Sequence, residues 1–169
     1  ILVNEKGKRI DGRKLDETRP IKMEVNIISR ANGSAKVSFG DTIAIASVFG
    51  PRALFPKHLQ ESDECVIRTR YNMAPFSTET RKSPGMDRRS IEISKVLRHA
   101  IEGSVFLKEF PRASIDVYAE IISSDGSTRC TALNAMSLAL AIAGVPMKDL
   151  ICAITGGKIE GKLAIDLLS

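Results

Sequence analysis

The stretch DGSTRCTALNAMSLALAIAGVP, residues 125–146, decides the fold. Residues 130–143 are apolar on nearly every face of a helix, which predicts a helix buried in the interior. Gly144 and Pro146 are typical of a helix end, where a glycine at C′ is often followed by a proline. A buried helix needs other elements of the same chain around it, so the neighbouring patterns define the rest of the fold.

A second helix is predicted upstream of the first. Asp87 is a suitable N-cap residue, the helix is expected to start near Arg88, and Pro111 is expected to end it after Phe110. The strand Ser114 to Ile122 lies between the two helices. The predicted buried stripe of the upstream helix consists of Ile93, Val96, Leu97, Ala100, Ile101 and Val105.

Strands dominate the remaining sequence. Alternation of apolar and polar residues predicts strands at 21–28, 35–39, 42–49 and 64–72, and a final hairpin at 151–156 and 162–167 with a turn at Glu160-Gly161. Residues 50–63 and 74–86 are predicted as loops, the second of them basic. The order ββββ-α-β-α-ββ favours an α+β layered fold. Residues 1–19 are interpreted as an N-terminal arm and residues 20–169 as the domain.

The composition is that of a globular domain with a mild positive charge. The chain has 169 residues, of which 43% are hydrophobic, and a formal net charge of +5. The charge favours a polyanionic partner without establishing one. No signal peptide is expected, and the apolar stretch 135–147 is too short to span a bilayer. We therefore expect a cytoplasmic protein without a membrane partner, in which Cys65, Cys130 and Cys152 are buried free thiols.

Several common active-site patterns are missing from the sequence. His58 and His99 have no neighbours at metal-ligand spacing, which argues against zinc and against a histidine-based triad. Gly156-Gly157-Lys158 lacks the other residues of a P-loop, and there is no Gly-x-Ser-x-Gly sequence.

The two predicted helix starts carry arginines, and this feature points to phosphate. One is Asp87-Arg88-Arg89-Ser90, and the other is Asp125-Gly126-Ser127-Thr128-Arg129. A helix N-terminus already has a partial positive charge, so arginines there favour an anionic ligand. Backbone N–H groups, hydroxyls and guanidinium groups together suit a phosphate. The alternative is that these arginines are ordinary surface charges.

Arg68 and Arg70 are predicted to share one face of a strand, because strand side chains repeat with period two. With the basic loop after it, this strip suits an RNA backbone. Tyr71 and Phe76 are nearby aromatic residues that are able to stack on a base. The alternatives are a solvated sheet face for the arginines and a core or loop position for the aromatics.

Six strings of the sequence resemble the RNase PH family, and within it most closely the catalytic RNase PH-like subunits of archaeal exosomes. The similarity runs along essentially the whole chain. Asp125-Gly126-Ser127-Thr128-Arg129 also resembles the phosphate-binding Asp-Gly-Gly-Thr-Arg of bacterial RNase PH, with Ser127 in place of a glycine. The strings are 9–13 (RIDGR), 17–21 (ETRPI), 32–35 (NGSA), 50–52 (GPR), 70–77 (RYNMAPFS) and 87–92 (DRRSIE).

The resemblance implies an RNase PH-like fold, similar to domain 2 of ribosomal protein S5, and a processive phosphorolytic 3′→5′ exoribonuclease. Inorganic phosphate would be the co-substrate, and Mg²⁺ is left open as a further cofactor. By position, Ser127, Thr128 and Arg129 would hold the attacking phosphate, and Arg129 and Arg89 would act in catalysis, with Arg89 near the scissile phosphate. The residues that would grip the RNA are Arg68, Arg70, Arg88 and Arg89.

The family also implies partners, namely RNA, a paralogous RNase PH-like subunit in a hexameric ring, and RNA-binding cap proteins. Alternatives are a free-standing RNase PH that trims tRNA 3′ ends and a non-catalytic RNA-binding ring subunit. The family's general-acid aspartate, with a closing strand and helix, is expected to lie beyond Ser169, and Asp166 does not match it by position. We therefore expect the 169-residue chain to be inactive by itself.

Overall fold

The structure is a computed structural model that describes residue 9, residues 11–159 and residues 161–168. Its elements follow the predicted order ββββ-α-β-α-ββ, with two short 3₁₀ turns at Lys57–Leu59 and Leu107–Glu109, and the α+β fold class is confirmed. The strands are β1 (Ile21–Val25), β2 (Gly33–Phe39), β3 (Thr42–Ala53), β4 (Val66–Met73), β5 (Ala113–Ser123), β6 (Gly156–Ile159) and β7 (Lys162–Ile165), and the helices are α1 (Arg88–Glu102) and α2 (Thr128–Ile142).

Five strands form one mixed sheet in the order β1-β2-β3-β5-β4. Its neighbours are antiparallel except for β4 and β5, which are parallel and connected through α1. Strands β6 and β7 form a separate antiparallel hairpin. Both helices pack against the sheet, and the shared core includes Leu97 of α1, Met136 of α2 and Val117 of β5. The result is a two-layer arrangement of helices on a sheet.

A glycine allows α2 to lie close to the sheet. A Cβ atom at Gly33, at the start of β2, would lie 2.2 Å from the Ala139 carbonyl oxygen of α2. No larger residue fits there without moving the helix. The predicted end of α2 is confirmed as well, because Gly144 has a φ of +74°, as a C′ glycine commonly does.

Helix α1 ends earlier than predicted. It stops at Glu102, and the N–H of Gly103 caps the carbonyl groups of His99 and Ile101. The predicted stripe is also wrong at Val96, which is 66% exposed. Ser94 is buried instead, because its hydroxyl accepts a 2.9 Å bond from the backbone N–H of Tyr71 in β4. Helical periodicity favoured burial of Val96, whereas the backbone N–H of Tyr71 in β4 needs a hydrogen-bond acceptor, which Ser94 supplies.

Three strand boundaries and one thiol also differ from the prediction. Strand β1 stops at Val25 because Asn26 adopts a left-handed φ of 57°. Strand β3 continues to Ala53, into the predicted loop, after a register shift against β5. The last hairpin begins at Gly156 rather than at 151, and Glu160 of its predicted turn lies outside the described residues. Cys152 is exposed rather than buried.

Candidate phosphate and RNA site

Helices α1 and α2 both begin beside the side chain of Tyr71, near the end of β4. Tyr71 lines a small pocket together with Asp87, Arg89 and Ser90 of the α1 start. The charges of Arg89 and Arg129 both act on its hydroxyl. The fold therefore brings the two predicted helix starts together, although Ser90 and Arg129 are 39 positions apart in the sequence.

The start of α1 already holds an anionic group. The side chain of Asp87 accepts a 2.7 Å hydrogen bond from the backbone N–H of Ser90 and is the N-cap. The side chain and the backbone N–H of Ser90, with the nearby charges of Lys82 and Arg89, lower the pKa of Asp87. The predicted N-cap is thus confirmed, and its carboxylate occupies the position that an external anion would take.

The start of α2 is open. Ser127 precedes the helix with a left-handed φ of 56°, and among the described residues no side chain caps the first turn or places an acidic group in it. The N–H groups of that turn have no partner inside the helix. A non-glycine residue in this conformation is strained, and such strain is concentrated at functional sites. Of the two predicted anion sites, α2 offers the free N-terminus.

The hydroxyl of Ser127 does not point to this open turn. It lies 2.6 Å from the Thr155 hydroxyl and donates to Asp166 Oδ1 at 3.1 Å. Any contact of Ser127 with phosphate would therefore come from its backbone N–H. Thr128 is buried at the helix start, whereas the Arg129 side chain is exposed.

Two buried residues, Thr42 and Arg19, bind the backbone of the loop that precedes α2. The Thr42 hydroxyl donates to the Gly126 carbonyl at 2.8 Å and accepts from the backbone N–H of Asp125 at 2.9 Å. Arg19 donates to the Asp125 carbonyl. Arg19 and Thr42 are both buried, so the loop is fixed by contacts that solvent does not reach. Sequence analysis assigned neither residue to the site, since their partners are distant in sequence.

Asp166 anchors this arrangement. Its carboxylate is fully buried and accepts bonds from Arg19 at 2.7 and 3.0 Å and from Arg13 at 2.9 Å. Burial alone would raise the pKa of Asp166, but the hydrogen bonds and charge of Arg19 outweigh it and lower the pKa. The only sequence signal was an aspartate within the apolar run of the last strand.

The predicted arginines fall into two groups. Arg89 and Arg129 are exposed at the helix starts, and neither forms an ion pair within the described parts of the chain. Arg88 is also exposed, and its Nε lies 3.1 Å from Glu92 Oε1. Arg89 and Arg129 place positive charge near the Tyr71 hydroxyl, between the two helix starts, whereas Arg88 lies beside Glu92 on α1.

Arg68 and Arg70 share a face of β4, as predicted, but it is the face turned away from the helices. Arg68 binds Asp116 of β5 through two bonds of 2.5 and 2.9 Å, and Arg52 binds the same carboxylate. Burial acts to raise the pKa of Asp116, but Arg68 and Arg52 outweigh it and lower the pKa. Arg68 is therefore a paired cation, whereas Arg70 is exposed.

The two candidate stacking aromatics differ in accessibility. Tyr71 is 1% exposed, so its ring is a core residue and does not stack on a base. Phe76 is 72% exposed in the loop between β4 and α1. Phe76 alone of the pair keeps its predicted ability to contact RNA.

No group of three or more His, Cys, Asp or Glu side chains among the described residues is arranged to hold a metal ion. None of the helices in the described segments has the length and apolar character needed to cross a membrane.

Comparison with known proteins identifies similar chains. The family model RNase_PH, described as 3′ exoribonuclease family, domain 1, matches residues 17–146. The chain is 56% identical over 166 residues to "Exosome complex component Rrp41" of Pyrococcus abyssi, covering 98% of this chain and 67% of the relative. It is 49% identical to the Methanopyrus kandleri protein of the same name, covering 98% and 69%. The chain thus spans about two thirds of the length of these relatives.

Solved structures share the fold. Rice (Oryza sativa) Rrp46 superposes with a TM-score of 0.85 and 28% identity, covering 95% of this chain and 73% of the rice chain. A chain of the structure described as the Archaeoglobus fulgidus exosome with RNA bound to the active site gives a TM-score of 0.82 and 26% identity, covering 96% and 72%. These neighbours match both the sheet and the helix layer that positions the site.

Proposed function

The chain belongs to the RNase PH family of 3′ exoribonucleases, and on that premise we propose that it is the catalytic RNase PH-like part of an exosome subunit that degrades RNA from the 3′ end by phosphorolysis. The observation that carries the proposal is the open, strained start of α2 beside the unpaired cations Arg89 and Arg129. Backbone donors, a helix dipole and guanidinium groups converge there on one anion-sized position.

In the proposed reaction an oxygen of inorganic phosphate attacks the phosphorus of the last phosphodiester of the RNA. The bond from that phosphorus to the 3′-oxygen of the preceding nucleotide breaks, and this oxygen takes a proton from a general acid, the role of the aspartate that the family resemblance implies. The products are a nucleoside 5′-diphosphate and an RNA shortened by one nucleotide. Thr128, Arg129 and the N–H groups of α2 hold the attacking phosphate, while Arg89 balances charge on the scissile phosphate.

The proposed partners follow from the relatives. Their name, exosome complex component, supports assembly with other exosome subunits, and the archaeal exosome structure with RNA supports RNA as the ligand. We propose that one of these subunits is a paralogous RNase PH-like chain in a hexameric ring. We also propose that RNA-binding cap proteins bind the assembled complex and that the protein is cytoplasmic. The exposed residues best placed to guide the RNA strand are Arg70, Arg88 and Phe76. Arg68 contributes to the positive charge of the same face of β4, although it is paired with Asp116.

An RNA decay assay tests this function. The full-length protein, assembled with its ring partner, is incubated with a 5′-labelled and a uniformly labelled RNA, with phosphate or with sulfate at equal ionic strength. We expect decay only with phosphate, and nucleoside diphosphates as the products. Nucleoside monophosphates formed without phosphate would indicate hydrolysis and would refute the proposal.

A further inference from the structure

The hydroxyl of Tyr71 has no partner in the described structure. Tyr71 is 1% exposed, and its backbone N–H is bonded to Ser94, yet no described residue forms a hydrogen bond with the phenolic oxygen. An unpaired hydroxyl in the interior costs stability, and such groups are rare in native proteins. Phenylalanine would fill the same space without this cost.

The orphan hydroxyl lies where the two helices begin. Its pocket is lined by Asp87, Arg89 and Ser90 of the α1 start. From the α2 start, the Thr128 side chain lies close enough to the oxygen to lower the pKa of the phenol, although the two groups do not reach hydrogen-bond geometry, and the charge of Arg129 acts on the same oxygen. The groups that face the Tyr71 oxygen are thus the same groups that surround the proposed phosphate.

We propose that the Tyr71 hydroxyl is a further phosphate-binding group, which donates a hydrogen bond to an oxyanion held between the starts of α1 and α2. The inference rests on the proposed function, since it adds a donor to the same site. The oxyanion is either inorganic phosphate or the terminal phosphodiester of the RNA, and the two share the chemistry that a buried hydroxyl recognises. A bound oxyanion would supply the partner that the protein itself does not.

The protonation state of Tyr71 suits this role. Burial raises the pKa of the phenol above its ordinary value, and the nearby Thr128 side chain and the charges of Arg89 and Arg129 only partly oppose the shift. The hydroxyl therefore keeps its proton at neutral pH and acts as a donor.

The test uses Tyr71→Phe in the full-length protein, with Tyr118→Phe as the matched control. Tyr118 is the second tyrosine of the chain and lies in β5, where it packs edge-on against Phe49 with ring centroids 6.0 Å apart. Thermal unfolding is measured against inorganic phosphate and, separately, against a short oligoribonucleotide without phosphate. Chloride at equal ionic strength is the reference for both titrations.

We expect Tyr71→Phe to be as stable as the wild type or more stable without ligand, because the mutation removes an unpaired buried group. The dissociation constant of the oxyanion should rise about tenfold, which corresponds to about 1.4 kcal/mol. A change in the phosphate titration assigns the hydroxyl to phosphate, and a change in the RNA titration assigns it to the phosphodiester. Tyr118→Phe should alter neither.

Two results would overturn the inference. One is a Tyr71→Phe protein that binds both ligands as the wild type does, and the other is a variant that is less stable without ligand, which would show a structural partner for the hydroxyl. Failure of the proposed function is distinguishable, because the wild-type protein would then show no stabilisation by phosphate at all.

Discussion

At the scale of single residues, a carboxylate decides which helix start is free for a ligand. Asp87 closes α1 by accepting the Ser90 N–H, whereas the side chain of Ser127 turns away from α2 toward Asp166. Both positions are followed by arginines. Only at α2 do uncapped N–H groups lie beside an arginine, so Arg129 is the residue of the proposed site whose loss should matter most for phosphate.

We predict that Arg129→Ala raises the phosphate concentration needed for RNA decay at least about tenfold. A charge-assisted hydrogen bond contributes roughly 1.5–3 kcal/mol, and ~1.4 kcal/mol is a factor of ten. Folding should survive, because the mutation removes a cation from the positive end of a helix dipole. The measurement is the phosphate dependence of the decay rate, with RNA binding followed separately.

The control for Arg129→Ala is Lys95→Ala. Lys95 is an exposed cation within α1 and lies outside the site. It should leave the phosphate dependence unchanged. An Arg129→Ala protein that unfolds, or one with the wild-type phosphate requirement, would assign Arg129 a structural role instead.

At the scale of elements, the two faces of strand β4 differ, because one face packs in the core and the other carries arginines. Its inward residues, Ile67 and Tyr71, belong to the core beneath the helices, while Arg68 and Arg70 project from the other face. Pairing with β5 then makes the two arginines unequal, because the β4–β5 register places Arg68 opposite Asp116. Sequence analysis treated them as equivalent RNA-binding cations.

We predict that Arg70→Ala weakens RNA binding and reduces the slope of log affinity against log salt by about one unit, as loss of one phosphate contact does. Arg68→Ala should change the slope less and lower the melting temperature, because Asp116 then keeps only Arg52 as a partner. RNA affinity at several salt concentrations and thermal unfolding separate the two effects. Equal slopes for the wild type and Arg70→Ala would show that Arg70 does not contact RNA.

At the scale of the whole molecule, one buried carboxylate joins three distant segments. Asp166 follows β7, Arg13 and Arg19 come from the segment predicted as an arm, and Ser127 belongs to the loop before α2. The described part of the arm is therefore packed against the hairpin rather than extended from it. The loop before α2 depends on this network for its shape.

Asp166 also predicts how stability depends on pH. Because the pKa of Asp166 is lowered in the folded state, its contribution to stability is complete above about pH 5, where an unfolded aspartate is almost fully ionised, and is lost as the pH falls toward the lowered folded value. Asp166→Asn should unfold about 3 kcal/mol more easily at pH 7, since Arg19 loses a buried partner. Denaturant unfolding between pH 7 and 3 should show a flatter acid limb for the variant.

The control for this pH dependence is Asp149→Asn. Asp149 is an exposed aspartate in the segment between α2 and β6. Its replacement should leave the curve unchanged. An Asp166→Asn protein with wild-type stability and an unchanged acid limb would contradict the role of the network.

The sequence by itself determined the order of the elements, the buried helix α2, the Asp87 cap and the arginines at both helix starts. These features depend on local periodicity, capping and helix-end chemistry, which act within a few residues. The sequence also showed the resemblance to the RNase PH family, because that resemblance rests on short contiguous motifs.

Tertiary structure alone decided which of those groups are free to bind. Contacts between residues far apart in the chain pair Arg68 with Asp116, turn Ser127 toward Asp166, and hold the loop before α2 through Thr42 and Arg19. The same packing buries the Tyr71 hydroxyl without a partner among the described residues. The physical reason is that a buried charge or hydroxyl is satisfied by whatever group the fold brings within about 3 Å. The spacing of residues along the sequence does not show which distant groups come within that distance.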